Sequence, residues 1–311
     1  MKLISIMSHC YNEEGNVRDV YERVKNVFSN LRSYRYEHIF IDNASTDRTA
    51  SILKEIAAQD KNVKVIINNR NFGPYRSPMY AIFQTKGDAV VPVASDLQDP
   101  PEMIPQFLAK WEEGYKIVAG IKRKSAGSPL MNALRNLYYH LISYISEDAE
   151  QIRNFTGYGL YDREVIDLIM RTGDHYPYVR GLICDMGYDI AKIEYDRPER
   201  KKGFSKNSLY GLYIQAMNGI THHSKMPLRL ATFVGFFMSF ISIMVAFGYG
   251  IYKLVYWQSF TLGLAPLVIG LFFFASVQLI FLGIIGEYIG AIYSRIFQRW
   301  LVIERERINF D

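Results

Sequence analysis

Leu3-Ile4-Ser5-Ile6-Met7 is a short apolar run with the composition of a buried β-strand, and the polar cluster His9-Cys10-Tyr11-Asn12-Glu13 follows it almost at once. Outward from this stretch, residues 16–31 carry apolar side chains at helical spacing, and residues 38–42 form a second β-rich run. This second run also ends in a polar cluster, Asp42-Asn43-Ala44-Ser45-Thr46-Asp47. The order strand, helix, strand predicts a right-handed crossover that joins two parallel strands.

The same alternation continues through the first 120 residues of the chain. Thr46 or Asp47 is placed to cap the helix that follows the second strand. The pattern predicts an α/β domain built on a mainly parallel sheet that is covered by helices on both faces. The remaining predicted strands are at 63–68, 89–93 and 116–119, and the remaining predicted helices are at 49–60, 74–85 and 102–113.

Polar clusters follow four consecutive predicted strands, at the point where each strand ends. The third and fourth clusters are Asn68-Asn69-Arg70-Asn71-Phe72-Gly73 and Ser95-Asp96-Leu97-Gln98-Asp99-Pro100-Pro101-Glu102. Any one of them could serve only as a turn, since Asn, Asp and Ser are common turn residues. Because parallel strands end at one edge of their sheet, where the ligands of α/β folds bind, the four clusters together predict a binding site.

The sequence lacks the phosphate-binding motifs of the common nucleotide folds. Neither G-x-G-x-x-G after the first strand nor a Walker loop is present, which argues against a dinucleotide-binding fold and a P-loop kinase. The charge of a bound diphosphate would then need a cation or basic side chains. Asp96 and Gln98, two apart in a predicted extended segment, could bind a divalent cation such as Mg²⁺ or Mn²⁺ together with phosphate oxygens. The alternative for Asp96 is a helix-capping carboxylate ahead of Pro100.

Composition narrows the class of protein further. The chain has 311 residues, of which 49% are apolar and 22% are charged, and this excludes a disordered or collagen-like protein. The net charge is only +5 and no long basic run is present, so nucleic acid is not an expected partner. Cys10 and Cys184 are too few for a disulfide framework and are interpreted as reduced thiols in a cytosolic environment.

Two long uncharged segments stand in the C-terminal third of the chain. Residues 231–252 contain neither a charge nor a histidine, and residues 254–286 form a second uncharged stretch after Lys253. A helix of about 20 apolar residues crosses a bilayer, so we predict a transmembrane hairpin with spans near 230–253 and 264–287. The alternative, a pair of buried core helices, would require a polar face that these segments lack.

Basic residues flank the predicted hairpin on both sides, whereas only Lys253 lies between the two spans. The positive-inside rule then places both termini and the N-terminal domain in the cytosol. The predicted organisation is a cytosolic domain over 1–226, two transmembrane helices within 227–290 and a cytosolic tail over 291–311. Residues 130–145 carry apolar side chains at helical spacing and predict a juxtamembrane helix, which could equally pack on the sheet. The flanking basic residues are Lys201, Lys202, Lys206, Lys225, Arg229, Arg295, Arg299, Arg305 and Arg307.

Four motifs, in this order, resemble those of family 2 glycosyltransferases. They are Tyr11-Asn12-Glu13-Glu14, Asp42-Asn43-Ala44-Ser45-Thr46-Asp47, Asn71-Phe72-Gly73 and Asp96-Leu97-Gln98-Asp99-Pro100-Pro101-Glu102. The chain is most similar to dolichol-phosphate mannose synthases and to bacterial GtrB-like polyprenyl-phosphate glycosyltransferases. The bacterial branch also ends in paired membrane helices, so the resemblance covers nearly the whole chain. It implies the nucleotide-sugar-binding α/β fold called GT-A.

The resemblance also implies roles for individual residues. Asp96, taken as the catalytic residue, and Gln98 would hold the divalent cation. The residues implied in binding the nucleotide-sugar donor are Tyr11, Glu13, Asp42, Asn71, Arg200 and Lys206. Of these, the last two would lie on a loop that closes over the donor phosphates. The residues implied near the acceptor phosphate are Lys122, Arg123 and Arg135.

The sequence departs from the family pattern at several positions. Ala94 stands where the first aspartate of an Asp-x-Asp motif is usual, Asn43 replaces the second of two adjacent aspartates, and His9 replaces a proline. Gly157-Tyr158-Gly159-Leu160 aligns with a usual Asp-Phe-Arg-Leu element, which removes a carboxylate and an arginine. Two hypotheses follow: an active branch with its own donor or acceptor chemistry, or a catalytically weakened scaffold that still binds nucleotide sugar or partners a lipid flippase.

We expect the active branch, because a phosphate acceptor is already ionised near neutral pH and can attack without a base. The implied reaction is a single displacement with inversion. In it, a polyprenyl (undecaprenyl-type) phosphate takes a hexose from a nucleotide sugar, with a UDP-hexose favoured, for modification of a cell-envelope glycan or glycolipid. The expected location is the bacterial inner membrane, and the resemblance implies a homo-oligomer, with tetramers among the similar proteins. The sugar, the nucleotide and the prenol length stay open.

Overall fold

The computed structural model describes residues 1–123, 152, 154–173, 179–196, 226–256, 264–296 and 301–310. Within the whole chain, contacts separate two units. The first unit comprises Met1–Ser143, Asp148–Ser208 and Gln298–Asp311, and the second comprises Tyr144–Glu147 and Leu209–Phe297. The predicted juxtamembrane helix at 130–145 lies outside the described residues.

The described elements of the first unit alternate strands and helices, as the sequence predicts. The third strand has the predicted bounds, and the first and second strands are longer than predicted. The elements are β1 Lys2–Cys10, α1 Val17–Ser29, β2 Tyr34–Asp42, α2 Thr49–Gln59, β3 Val63–Asn68, α3 Gly73–Phe83, β4 Ala89–Pro92, α4 Ile104–Glu112, β5 Ile117–Lys122, β6 Phe155–Asp162, α5 Arg163–Arg171, α6 Val179–Asp185, β7 Ile190–Tyr195 and β8 Glu304–Ile308.

These strands form one eight-stranded sheet with the order β7-β5-β6-β4-β1-β2-β3-β8. The strand pairs β1–β2, β1–β4, β2–β3 and β5–β7 are parallel, whereas β6 and β8 run antiparallel to their neighbours. The prediction of an α/β fold with a mainly parallel sheet is therefore confirmed. As a consequence, β1 to β5 and β7 all end at one edge of the sheet, which we call the carboxyl edge, and β6 and β8 begin there.

The core consists of two apolar layers, one on each face of the sheet. Phe40 packs with the side chains of α1, α2 and α4. Its neighbours Ile39 and Ile41 point to the other face, where α3, α5 and α6 cover them. All three side chains are completely buried, as expected for a central strand covered on both faces.

The strand β8 is a feature that the sequence analysis did not predict. The sequence predicts only a tail over residues 291–311, but Glu304–Ile308 pairs antiparallel with β3 and forms the edge of the sheet. Side chains fasten this strand to its surroundings: Lys54 pairs with Glu306, and the Nδ2 of Asn309 donates to the carbonyl oxygens of Ala57 and Val63. The C-terminal residues are thus part of the first unit.

The described part of the second unit consists of two long helices, α7 Met226–Val255 and α8 Leu264–Ile296. Each contains an 18-residue apolar window long enough to cross a membrane, Leu228–Val245 and Phe273–Gly290. Large apolar side chains are exposed along both helices; Phe233 and Phe236, for example, are each 72% exposed. An exposed apolar surface of this extent is typical of a membrane or protein interaction site. The helix α8 extends beyond the predicted end of its span at residue 287.

Candidate active site

The loops after β1 and β2 are held together by hydrogen bonds at the carboxyl edge. The backbone N–H of Asn12 donates to Ser45 Oγ at 2.9 Å, and the Oδ1 of Asn12 accepts from the Thr46 N–H at 2.8 Å. The N–H of Glu13 donates to Thr49 Oγ1 at 2.8 Å. Asn12 adopts the left-handed conformation, with φ of 55°, which asparagine tolerates better than most residues. The two polar clusters are therefore joined by hydrogen bonds, and Tyr11 within them is partly exposed.

Asp42 ends β2 and is buried. Its Oδ2 accepts a hydrogen bond from the Ser45 N–H at 3.1 Å, whereas its Oδ1 accepts none from any described residue. Burial raises the pKa of the carboxyl group, and the hydrogen bonds from Ser45 lower it only in part. A buried carboxylate oxygen without a donor is costly, which is a reason to expect a ligand that supplies one.

Asn43 fastens the loop after β3 to the end of β2. Its Nδ2 donates to Asn71 Oδ1 at 2.9 Å and to the carbonyl oxygen of Gly73 at 3.2 Å. Its Oδ1 accepts from Asn68 Nδ2 at 3.0 Å and from the Phe72 N–H at 2.9 Å. An aspartate could accept the last two bonds but could not donate the first two. The replacement of the usual aspartate by Asn43 therefore has a structural reason, and Asn71 is part of the same network.

The segment around Asp96 is a turn rather than the predicted extended segment. Leu97 has a φ of 62°, and the Gln98 N–H donates to Asp96 Oδ1 at 3.1 Å. The turn still presents Asp96 and Gln98 on the same side, because both are partly exposed while Ser95 and Leu97 are buried. The alternative role for Asp96 is wrong: neither the 3₁₀ turn Pro101–Met103 nor α4 has a side-chain cap.

Three residues for which the sequence predicts no such role hold this turn in place. Tyr158 of β6 donates its hydroxyl to the carbonyl oxygen of Pro100 at 2.5 Å, and Tyr195 of β7 donates to Asp99 Oδ1 at 3.0 Å. On the other side, Cys10 Sγ and Ser95 Oγ are 3.0 Å apart and share a hydrogen bond. The only signal in the sequence was that Tyr158 lies in the segment aligned with the Asp-Phe-Arg-Leu element, which points to a position near the site. The turn is therefore anchored by β1, β6 and β7 together.

Two of the departures from the family pattern are built into β6, which begins at the carboxyl edge. Gly157 has a φ of 94°, a conformation that favours glycine. A Cβ atom on Gly159 would lie 2.1 Å from the carbonyl oxygen of Val118 in β5, so an arginine would not fit there. Gly157 thus permits a left-handed backbone, and Gly159 permits the close contact between β6 and β5.

His9 lies at the end of β1 within the electrostatic influence of Asp96. Burial lowers the pKa of its imidazole, and the negative charge of Asp96 offsets this only in part. The ring is consequently neutral near pH 7. The residue aligned with the first aspartate of the usual motif, Ala94, is partly exposed, two positions before Asp96 in the sequence, and offers no ligand atom.

The predicted basic residues are only partly described. Lys122 ends β5 at the carboxyl edge, and Arg123 next to it pairs with Glu194 at 3.2 Å and Asp196 at 3.5 Å. Arg123 is therefore within ion-pair distance of two exposed carboxylates, and such exposed pairs are weak. The other three predicted basic residues, Arg135, Arg200 and Lys206, lie outside the described residues.

The carboxyl edge thus carries acceptor groups suited to a nucleotide sugar, on a fold in which this edge binds ligands. Residues 5–169 match the protein family described as glycosyl transferase family 2. This match covers more than half of the chain. The chain belongs to this family and is a glycosyltransferase of the GT-A type.

Full-length relatives extend the similarity beyond the catalytic sheet. The chain is 34% identical over 308 residues to the uncharacterized glycosyltransferase YkcC of Bacillus subtilis (strain 168), covering 99% of this chain and 94% of that one. It is 33% identical over 294 residues to the bactoprenol glucosyl transferase of Shigella phage SfX, covering 93% and 94%. It is 31% identical over 294 residues to the prophage bactoprenol glucosyl transferase homolog of Escherichia coli (strain K12), with the same two coverages.

Proposed function

We propose that this protein is a membrane-bound inverting glycosyltransferase that moves a hexose from a UDP-sugar to a polyprenyl phosphate of the undecaprenyl type. The similarity to a bactoprenol glucosyl transferase carries this proposal, since it covers 93% of the chain and so includes both the sheet and the apolar helices. A lipid acceptor also explains why a transferase domain is joined to two helices that can cross a membrane.

The donor nucleotide binds at the ends of β1 and β2 in this proposal. Asp42 accepts a hydrogen bond from the base through its Oδ1, and Tyr11 and Glu13 contact the base or ribose. The amide oxygen of Asn71 already accepts bonds from Asn43 and Gly73, so Asn71 shapes the donor pocket through its loop. Arg200 and Lys206 are proposed to bind the donor phosphates.

A divalent cation is proposed to bind at Asp96 and Gln98. A carboxylate and an amide oxygen are donors that Mg²⁺ and Mn²⁺ prefer, and neither the Oδ2 of Asp96 nor the side chain of Gln98 bonds to a described residue. The described residues contain no group of three or more His, Cys, Asp or Glu that could hold a metal, so oxygens of the diphosphate complete the set. When bound, the cation neutralises charge on the departing diphosphate.

The acceptor phosphate is proposed to bind near Lys122, with Arg123 and Arg135 close by. An ionised phosphate attacks the anomeric carbon without losing a proton, so the absence of the usual carboxylate at Gly157 is compatible with turnover. The neutral His9 adds no positive charge beside Asp96. The reaction then depends on positioning and on stabilisation of the leaving group rather than on a general base.

The membrane arrangement follows from the charges that flank the helices. The spans are proposed to lie in the bacterial inner membrane, with both termini and the catalytic sheet in the cytosol, as the positive-inside rule predicts. A homo-oligomer remains a prediction from the family resemblance. The product would serve modification of a cell-envelope glycan or glycolipid.

The decisive experiment follows the sugar into lipid. Full-length protein in nanodiscs is incubated with Mg²⁺, undecaprenyl phosphate and one radiolabelled nucleotide sugar at a time, with UDP-glucose, UDP-galactose, UDP-N-acetylglucosamine and GDP-mannose as the panel. We expect label in the organic phase with one UDP-sugar, and none when the lipid phosphate is left out. Donor binding without transfer to lipid for any member of the panel would support the alternative of a non-catalytic scaffold.

A further inference from the structure

Arg305 occupies a special position in the edge strand β8. In the pairing with β3, Ile67 is opposite Glu306 and Asn68 is opposite Glu304, so Arg305 is the extra residue of a β-bulge. The Asn69 N–H donates to the carbonyl oxygen of Ile303 at 2.9 Å and continues the pairing past the bulge. Bulges next to binding sites often redirect a side chain. This bulge lies at the carboxyl edge, where β3 ends.

The guanidinium of Arg305 is exposed and makes no hydrogen bond or ion pair with any described residue. Arg307, two residues later, donates hydrogen bonds to Glu304, Tyr80 and Gln84. These bonds fix β8 to its surroundings. The two arginines of this strand therefore have different roles, and only Arg305 keeps its donors available for a ligand.

Arg305 acts electrostatically on Asp42. Burial raises the pKa of Asp42, and the positive charge of Arg305 is among the influences that lower it. Both residues lie at the carboxyl edge, on strands separated only by β3. Strands are about 4.8 Å apart, so β8 and β2 are about 10 Å apart, whereas β8 and β4 are about 19 Å apart. Arg305 is thus placed near Asp42 and far from the turn that carries Asp96.

We propose that Arg305 and Asp42 together recognise the uracil base of the donor, an inference that rests on the proposed function. Uracil presents an N3–H donor between two carbonyl acceptors. The Oδ1 of Asp42 accepts from N3–H, and the guanidinium of Arg305 donates to the carbonyl oxygen O4. Cytosine presents an acceptor and an amino group at the equivalent positions, so the same pair rejects it. Arg305 is a specificity-determining residue supplied by the C-terminal strand.

The test compares ligands that share the base but differ in phosphate number. Binding of uridine, UMP, UDP, CDP and GDP to the full-length protein in nanodiscs is measured by calorimetry at one Mg²⁺ concentration, with weak ligands measured by displacement of UDP. The variants are Arg305→Gln, Arg305→Lys and Arg35→Gln. Arg35 is another exposed arginine, at the opposite edge near the start of β2, and serves as the charge-matched control.

We expect Arg305→Gln to weaken uridine, UMP and UDP by the same factor, about tenfold for the loss of a charge-assisted hydrogen bond, and to reduce the preference for UDP over CDP. Arg305→Lys should fall between Arg305→Gln and the unchanged Arg35→Gln, because an ammonium keeps the charge but not the planar donors. Unchanged binding in Arg305→Gln would overturn the inference. So would a loss that grows with the number of phosphates, which would mean a phosphate contact. If the wild-type protein prefers GDP to UDP, the proposed donor is wrong, and the inference about uracil is wrong as well.

Discussion

Two buried carboxylates on strand β2 have opposite environments. Glu37, in the first half of the strand, receives hydrogen bonds from Ser5 Oγ at 2.5 Å, the Lys86 N–H at 2.7 Å and Lys64 Nζ at 2.6 Å. Asp42, at the carboxyl edge, is bonded only to Ser45 among the described residues, through one of its two oxygens. One strand therefore carries a carboxylate that is fully satisfied within the protein and another that is not.

The pKa directions express the same difference. Burial acts to raise the pKa of Glu37, but the hydrogen bonds from Lys64 and Ser5 outweigh it, and the pKa is lowered. For Asp42 burial prevails and the pKa is raised. A group with a lowered acid pKa stabilises the fold in its ionised form, and one with a raised pKa destabilises it. We call the edge at which β1 to β4 begin the amino edge. We infer that the amino edge contributes to stability, whereas the carboxyl edge holds acceptor groups that a ligand can use.

The largest effect that this comparison predicts concerns Asp96, a partly exposed carboxylate of the carboxyl edge. Asp96→Ala removes the proposed cation ligand, and we expect turnover to fall by about 10³-fold, the effect of losing several kcal/mol of transition-state stabilisation. The measurement is transfer of labelled hexose to lipid across a Mg²⁺ titration. Hydrogen exchange of the sheet should remain unchanged, because the only hydrogen bond that the Asp96 side chain accepts from a described residue is the local one from Gln98.

Glu102→Gln is the matched control for Asp96→Ala. Glu102 follows in the same segment, but it is paired with Arg23 at 2.6 Å and its side chain is 53% exposed. Its loss should change turnover less than about twofold, as expected for a surface ion pair. Full Mg²⁺-dependent turnover in Asp96→Ala would show that this turn does not hold the cation.

The fold could be predicted from sequence where hydrophobic pattern alone determines it. The run 63–68 has strand bounds identical to β3, because four of its six side chains are apolar and it is flanked by polar residues. The strand Glu304–Ile308 could not be found in this way. Its residues are charged at all positions but the last and none of them is fully buried, so it is a strand only because β3 offers an unpaired edge.

The candidate site was predictable in location but not in detail. The convergence of four polar clusters follows from parallel topology, and it predicted the carboxyl edge as the binding site. The pattern gave no indication that Asn43 uses all of its amide groups within the protein, or that Asp42 leaves one oxygen unpaired. The left-handed conformation of Leu97 was equally hidden, since leucine rarely adopts it. These properties depend on contacts between segments far apart in sequence.

A second prediction tests the stability role of the amino edge. Glu37→Gln leaves Lys64 without its partner and weakens three hydrogen bonds, so we expect the sheet to lose about 2 kcal/mol of local stability. Hydrogen exchange of peptides from β1, β2 and β3, measured on the full chain in nanodiscs at pH 7, gives this value. Turnover should stay within about twofold when it is measured at a temperature where the variant is folded.

The pH dependence provides the check on Glu37. Its pKa in the folded state is lower than the ordinary value of 4.5, so its stabilisation is complete above that value and is lost as the pH falls through the folded-state pKa. The difference between wild type and Glu37→Gln should therefore shrink in acid. The double variant Glu37→Gln with Lys64→Met should recover part of the loss at pH 7. A difference that is independent of pH would contradict the assignment of the effect to the ionised carboxylate.

The smallest predicted effect is a gain in local stability, whereas Glu37→Gln is expected to cause a loss. Asp42→Asn replaces a buried ionised carboxylate with a neutral amide, and without ligand we expect a gain of about 1 kcal/mol in local stability at pH 7, because the buried negative charge is removed. The gain should shrink as the pH falls through the raised pKa of Asp42, since the protonated carboxyl no longer carries the cost of a buried charge. Hydrogen exchange measures this gain in stability. Calorimetry with UDP should show that Asp42→Asn binds the nucleotide about tenfold more weakly. If Asp42→Asn instead lost as much stability as Glu37→Gln, the two carboxylates would serve the same purpose, and Asp42 would support the fold rather than a ligand.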